Sequence, residues 1–154
     1  MPDSTLHNNL CYVYLKIFNR SERKYKNMES GTYYDQALRY IKKAEAELKK
    51  SGKDEDGKYY TTKKYVKSAG GIGYAGILEA TKQYIVLNGI AINDDTDEKE
   101  IKVALAKLNP KAVEPFNHFY SYLYFSVHLY CNSNVAMLSE VFKEAKEFIA
   151  LLKQ

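Results

Sequence analysis

Gly71, Gly73 and Gly76 spell GxGxxG, the spacing with which a strand-to-helix loop holds the pyrophosphate of a dinucleotide. The residues around them argue against that chemistry. Such a loop needs a buried strand before its first glycine, and the preceding residues Thr62–Ala69 (TKKYVKSA) carry three lysines. A strand covered on both faces cannot take up that much charge cheaply. No further strand–helix alternation follows. Asp94 and Asp95 lie about 20 residues on, where a ribose-binding acid would sit, but they belong to a turn. Taken as a helix instead, Val66, Ala69, Gly73, Ile77, Ala80, Tyr84 and Leu87 form one stripe at spacings of three and four. Each helical glycine costs about 1 kcal/mol relative to alanine, a cost that makes sense where a neighbouring helix must come close. The motif reads as helix packing.

The other groups able to do chemistry are few. His7, His118 and His128 are the three histidines. On one helix, His118 and His128 stand about 15 Å apart along the axis, whereas metal–ligand bonds are about 2 Å long, so they cannot share an ion. His118 is the one candidate general base, and Lys111, seven residues before it, is the candidate cation for a phosphate. The bland reading of His118 and His128 is a polar edge on an aromatic face. Lys63, Lys64 and Lys67, beside Tyr59, Tyr60 and Tyr65, make the one basic–aromatic constellation. It suits phosphates or an acidic partner, or it is a solvated helix face. The run DDTDEKE lacks the glycine and ligand spacing of a calcium loop and reads as a capped helix start. Asp54, Glu55 and Asp56 fall in a loop expected to be flexible, with no partner histidine. No cofactor or metal is expected.

Composition narrows the class. The chain has 154 residues, a net charge of +4, and 45% hydrophobic and 27% charged residues. A chain of this size is one domain that buries about 70% of its unfolded surface. The charge is too mild to argue for nucleic acid by itself. Fifteen tyrosines with no tryptophan is the unusual feature; tyrosine suits core margins and interfaces alike. Cys11 and Cys131 lie far apart without a CxxC, so free thiols are expected. LCYVYLKIF is too short and too interrupted for a signal peptide, and no apolar run approaches the ~20 residues of a membrane span. The expected location is the cytoplasm.

These residues must be positioned by helices. Residues 1–28 read as an N-terminal extension, with Met28 a natural start and RSERKYKN a basic tether; an added helix packed on the rest is the alternative. Residues 29–154 form the domain proper. The first clear helix is expected over Thr32–Lys50, with Tyr33, Ala37, Tyr40, Ile41, Ala44 and Leu48 inward. A polar loop (SGKDEDG) leads to a second helix over Lys58–Asn88, stopped by Gly89. Asp95 with Glu98 resembles a capping box opening the third helix, which buries Ile101, Ala104, Leu105 and Leu108. Asn109–Pro110 ends or kinks it, and Pro115 sits in the first turn of the next. In FNHFYSYLYFSVHLY, Phe116, Phe119, Leu123 and Val127 make one apolar stripe, and Tyr122, Phe125 and Leu129 a second. That helix is expected to be central or to form a dimer face. Asn132–Asn134 breaks it, and a last helix from Val135 to Leu152 turns Leu138, Val141, Phe142, Ala145, Phe148, Ile149 and Leu152 inward.

The blocks YDQALRYIKKAEAEL, GKYYTTKKYVKSAGGIGYAGILEA and LAKLNPKAVEPFNHFYSYLYFSVHLY resemble a family of small bacterial proteins found in Bacteroidetes and known only as a domain of unknown function. That family is similar to HEPN domains, which implies an up-and-down helical bundle that dimerises and works beside nucleotidyltransferases, toxins or RNA. The resemblance implies that ribonucleases of the HEPN group carry an arginine, then four to six residues, then a histidine, late in the bundle. Here Arg20, Arg23 and Arg39 are all early, and Lys111 lacks the bidentate fork that clamps phosphate. Gly71 stands where a larger polar residue is expected.

The expectation is therefore an all-α bundle of four to five helices, HEPN-like, acting as a non-catalytic binding module. It self-associates and holds an unidentified protein partner, with Tyr74, Tyr122 and Phe125 as the binding surface. The alternative is a degenerate ribonuclease using His118 with Lys111, or an RNA-binding protein using Lys63, Lys64 and Lys67.

Overall fold

The computed structural model describes residues 31–93 and 96–153. The readings placed on His7, Cys11, Arg20, Arg23, Met28, Asp94 and Asp95 fall outside them. The described residues are all-helical: α1 (Gly31–Lys50), α2 (Lys63–Leu87), α3 (Glu98–Leu108), a 3-10 turn (Pro110–Ala112), α4 (Val113–Phe119), a π-helix (Tyr120–Leu129) and α5 (Val135–Lys153). Among them there is no strand, only two isolated antiparallel bridges.

The central element is α2, which touches each of the other α-helices and the π-helix. For the segment from Phe116 to Tyr130 the sequence left open a central place or a dimer face. Glycines make the position of α2 possible. A Cβ on Gly70 would lie 2.8 Å from both the His128 amide nitrogen and the Leu123 carbonyl oxygen. On Gly73 it would meet Phe142 Cε1 at 2.8 Å, and on Gly76 Tyr40 Cβ at the same distance. Three neighbours thus come closer to α2 than any side chain would permit. The amide groups of the GxGxxG lie mid-helix, spent on helical hydrogen bonds rather than turned toward a phosphate.

The apolar stripes read from sequence largely form the core. Ala37, Ile41, Ala44 and Leu48 of α1 and all seven inward residues of α5 are buried. In α2 the stripe holds from Val66 to Ala80, while Tyr84 is half-buried and Leu87 is exposed. The Tyr34 hydroxyl, buried with these side chains, donates to the Leu152 carbonyl at 2.7 Å.

Two helix starts differ from expectation. α2 begins at Lys63 rather than Lys58. The five residues before it stay out of the helix because their backbone is used elsewhere: Tyr60 N–H donates to Ser133 O and Val135 N–H to Lys58 O, each at 2.9 Å. Asp54 fastens this loop by accepting from Lys58 N at 2.7 Å and Tyr59 N at 3.1 Å, so the loop is braced rather than loose. α3 starts at Glu98 and is capped by Asp97 and Glu100. Asp97 Oδ1 accepts from Glu100 N at 2.8 Å, and Glu100 Oε2 accepts from Asp97 N at 3.3 Å. Other expectations hold. Gly89 ends α2 at φ +87°, Pro110 stops α3, and Asn134 Oδ1 caps α5 by accepting from Met137 N at 2.9 Å.

The π-helix was not anticipated. Its wider winding closes with Tyr130 N–H donating to Phe125 O, five residues back, at 3.0 Å. Cys131 then takes φ +57°, a left-handed conformation usually left to glycine, and reverses the chain. Its thiol is free, and Sγ lies 3.8 Å from Lys63 O.

Candidate functional site

Two regions gather the residues singled out by sequence. The first is an aromatic ledge where the π-helix lies on α2. Tyr74 of α2 meets Tyr120 at 5.6 Å and Tyr124 at 5.4 Å between ring centroids. Tyr120 and Tyr124 stack at 5.5 Å, and Phe125 packs edge-on against both, at 5.1 and 5.4 Å. Tilted and edge-on contacts suit the charge distribution of aromatic rings and add roughly 0.5–1.5 kcal/mol per pair. Phe125 remains 39% exposed, followed along the chain by Leu129 at 42% and Tyr130 at 79%. The structure therefore brings Tyr74 and Phe125 together, through Tyr120 and Tyr124, which sequence reasoning missed.

A charged pair closes one side of this ledge. Glu98 Oε1, hidden from solvent, has Lys102 Nζ at 2.5 Å. The Lys102 ammonium also lies 5.6 Å from the Tyr120 ring centre and donates to Asn117 Oδ1 at 2.7 Å. Burial, then the hydrogen bond to Glu98 and its charge, push the Tyr120 hydroxyl up to about 12. Burial, with Glu98 second, raises Tyr74 as well. Both phenols are held neutral, and that of Tyr120 donates to the Glu98 carboxylate.

Tyr122, the third residue expected on the binding surface, points elsewhere. It stacks on His118 at 6.0 Å and 17°, and its hydroxyl is buried with no hydrogen-bond partner among the described residues. Burial raises its pKa. His118 belongs to the second region, an open cleft of about 680 Å³ between the 3-10 turn and α4 on one side and the C-terminal half of α5 on the other. Lys111 lines the same cleft, so the two candidate catalytic residues do share a site. They share it with Glu114, Glu144 and Glu147. His118 Nε2 lies 3.2 Å from Glu144 Oε2. Lys111 has no ion pair or hydrogen bond among the described residues.

The remaining candidates are built into the fold. Lys63, Lys64 and Lys67 lie exposed on the first turns of α2. Lys64 Nζ stands 4.8 Å from the Tyr65 ring centre, with Lys50 Nζ over the same ring at 5.9 Å. The Lys67 carbonyl accepts from His128 Nδ1 at 2.8 Å, which fixes His128 as a docking residue. Gly71 gives that imidazole its room: a Cβ there would lie 2.9 Å from His128 Nδ1. Among the described residues, no group of three or more histidine, cysteine, aspartate or glutamate side chains is placed to hold a metal ion. No helix among them is long and apolar enough to cross a membrane.

The fold and these two regions define a single all-helical domain with an aromatic ledge and an acidic cleft. The chain belongs to the family described as Domain of unknown function (DUF5618), whose profile matches residues 32–154. Among solved structures it is similar to a protein of unknown function from Dyadobacter fermentans, with 25% identity and a TM-score of 0.70 over 82% of this chain and 97% of that one. No curated protein matches the chain.

Proposed function

We propose that this domain is a non-catalytic interaction module that self-associates, and holds a protein partner, through the aromatic ledge. The observation that carries this reading is the exposure of Phe125, Leu129 and Tyr130 along one helix end, above a base of stacked tyrosines. Aromatic side chains are enriched where proteins meet, because they bury large area at little conformational cost. The reading includes an up-and-down, HEPN-like helix order, an origin in Bacteroidetes and action in the cytoplasm. The three sequence blocks that resemble that family support these.

The test is sedimentation equilibrium of the wild type and of Phe125→Asp. The expected result is a concentration-dependent dimer that Phe125→Asp converts to monomer, with unchanged helical circular dichroism. A wild type that stays monomeric at high concentration would sink the dimer. A dimer indifferent to Phe125→Asp would move the interface off the ledge.

A second reading draws support from Lys111 and His118 sharing one cleft: a degenerate ribonuclease. The carboxylates of Glu114, Glu144 and Glu147 weigh against it, since they repel a phosphate where an in-line attack needs cations. RNA cleavage abolished in His118→Ala would restore it. RNA binding through Lys63, Lys64 and Lys67 without cleavage predicts an affinity that falls steeply with salt.

A further inference from the structure

The π-helix and the first half of α2 run antiparallel in a register fixed by three contacts. Cys131 Sγ stands 3.8 Å from Lys63 O, the Lys67 carbonyl accepts from His128 Nδ1 at 2.8 Å, and Tyr74 meets Tyr120 and Tyr124. The exposed side chains along this seam fall into two lanes. One is apolar: Phe125, Leu129 and Tyr130 at the end of the π-helix. The other is cationic: Lys63, Lys64 and Lys67 on the first turns of α2. Neither lane holds a carboxylate, since residues 57–78 and 115–134 contain no aspartate or glutamate. Of the acids that precede the seam, with Glu55 between them, Asp54 braces its own loop and Asp56 lies 3.9 Å from Lys58. At the far end Glu98 holds Lys102. Lys63 and Lys67 make no ion pair among the described residues, and Lys64 meets the Tyr65 ring. The lysines also run against the field of their helix. An N-terminal turn carries partial positive charge and favours acids. α3 opens with Glu98 and Glu100 accordingly, whereas α2 opens on two lysines with no acid in its first turn.

We infer that the protein partner of this seam is an acidic amphipathic helix. Its apolar stripe covers Phe125, Leu129 and Tyr130, and its carboxylates meet Lys63, Lys64 and Lys67. The inference rests on the reading of the ledge as an interaction surface and gives that partner its chemistry. An amphipathic helix carries an apolar and a charged stripe side by side along one axis, which is the pattern the two lanes present in reverse. Opposite charge across the contact selects such a partner and speeds its encounter. A single strand of RNA also joins cations to rings, but it needs ring faces open to its bases. Here Tyr120 and Tyr124 stack on each other, Phe125 packs edge-on against both, and Leu129 offers no ring. These features favour the peptide.

The experiment is fluorescence anisotropy with the full chain at near-physiological salt. The probes are a labelled helical peptide of about 15 residues built from leucine and glutamate, the same peptide with glutamine for glutamate, and oligouridylate. The expected result is saturable binding of the acidic peptide with Kd below about 100 μM, about tenfold tighter than the glutamine peptide. Lys63→Gln combined with Lys67→Gln weakens the acidic peptide by about threefold to tenfold and leaves the glutamine peptide unchanged. Both lysines are exposed, so this variant keeps the fold. Equal affinity for the two peptides, no binding of either, or acidic binding untouched by the double variant would overturn the inference. Tighter binding of oligouridylate would also overturn it and assign the seam to nucleic acid. Sedimentation separates this failure from that of the underlying reading. A dimer that Phe125→Asp dissolves, with no preference for the acidic peptide, leaves the interaction surface standing and removes only its acidic partner.

Discussion

The two sides of the π-helix are built on different principles. Its inner side is set by backbone distance: Leu123 and His128 rest on Gly70 and Gly71 with no space for a methyl group. Its outer side is set by ring contacts among Tyr120, Tyr124 and Phe125, which water and neighbours can rearrange. A seam of backbone tolerates almost no change, whereas a layer of rings can lose a member and close around the gap. The inner side therefore fixes where the helix lies, and the outer side is left free to carry binding.

Substitutions should separate the two sides. The largest effect is expected of Gly70→Val, because two of the three atoms at 2.8 Å belong to backbone that cannot swing away. A loss of about 3 kcal/mol in urea unfolding is expected from overpacking. A loss below about 1 kcal/mol would show that the seam yields, and the contrast would fail. Gly71→Ala meets a side chain instead, the His128 ring. Overpacking of about 1–2 kcal/mol is partly offset by the ~1 kcal/mol gain in helix propensity. Nuclear magnetic resonance of His128 should show its Nδ1 proton losing the Lys67 carbonyl.

On the outer side, Tyr124→Ala should cost about 1–2 kcal/mol for its ring pairs and leave a cooperative unfolding transition. Phe125→Asp, which gives up two edge-on ring pairs, should cost about 1 kcal/mol, small enough for the variant to stay folded while its effect on association is read. The smallest effect concerns alkaline pH. Tyr120 loses its proton at 10 when unfolded and at about 12 when folded. Between those values the folded state holds a proton that the unfolded state has released, so stability falls as pH rises through that window. Below 10 this contribution is fully present. Urea midpoints of Tyr120→Phe should decline less between pH 10 and 11.5 than those of the wild type. An identical decline would mean that Tyr120 is no more sheltered than an unfolded tyrosine.

Much of the inner side was legible in the sequence, because glycines and apolar residues at spacings of three and four report packing directly. Phe116, Phe119, Leu123 and Val127 are all buried as their spacing implies. The outer side was misread for a geometric reason. The apolar stripe groups Tyr122 with Phe125 and Leu129, while in the fold Tyr120, Tyr124 and Phe125 gather and Tyr122 stacks on His118 four residues back. Nothing in the residue types announces that change of winding. The capping box was ambiguous because Asp95–Glu98 and Asp97–Glu100 satisfy the same pattern. In the fold Glu98 is engaged with Lys102 and Tyr120, which leaves Glu100 for the cap. The cleft escaped notice since Glu144 and His118 are 26 positions apart in the chain, and only packing brings them together.

The hydrogen bond from Tyr34 to Leu152 has a consequence for architecture. It sets the opening turn of α1 beside the last turn of α5, so the first and last described helices begin and end at one end of the helical unit. A unit with neighbouring entrance and exit can be spliced into a surface loop of a host protein without prising the host apart. The same proximity makes the domain suited to circular permutation, with a new opening in the exposed turn at Glu55–Gly57. A permuted chain that unfolds cooperatively would show that the helical unit needs closure of this junction, not any particular order of its segments.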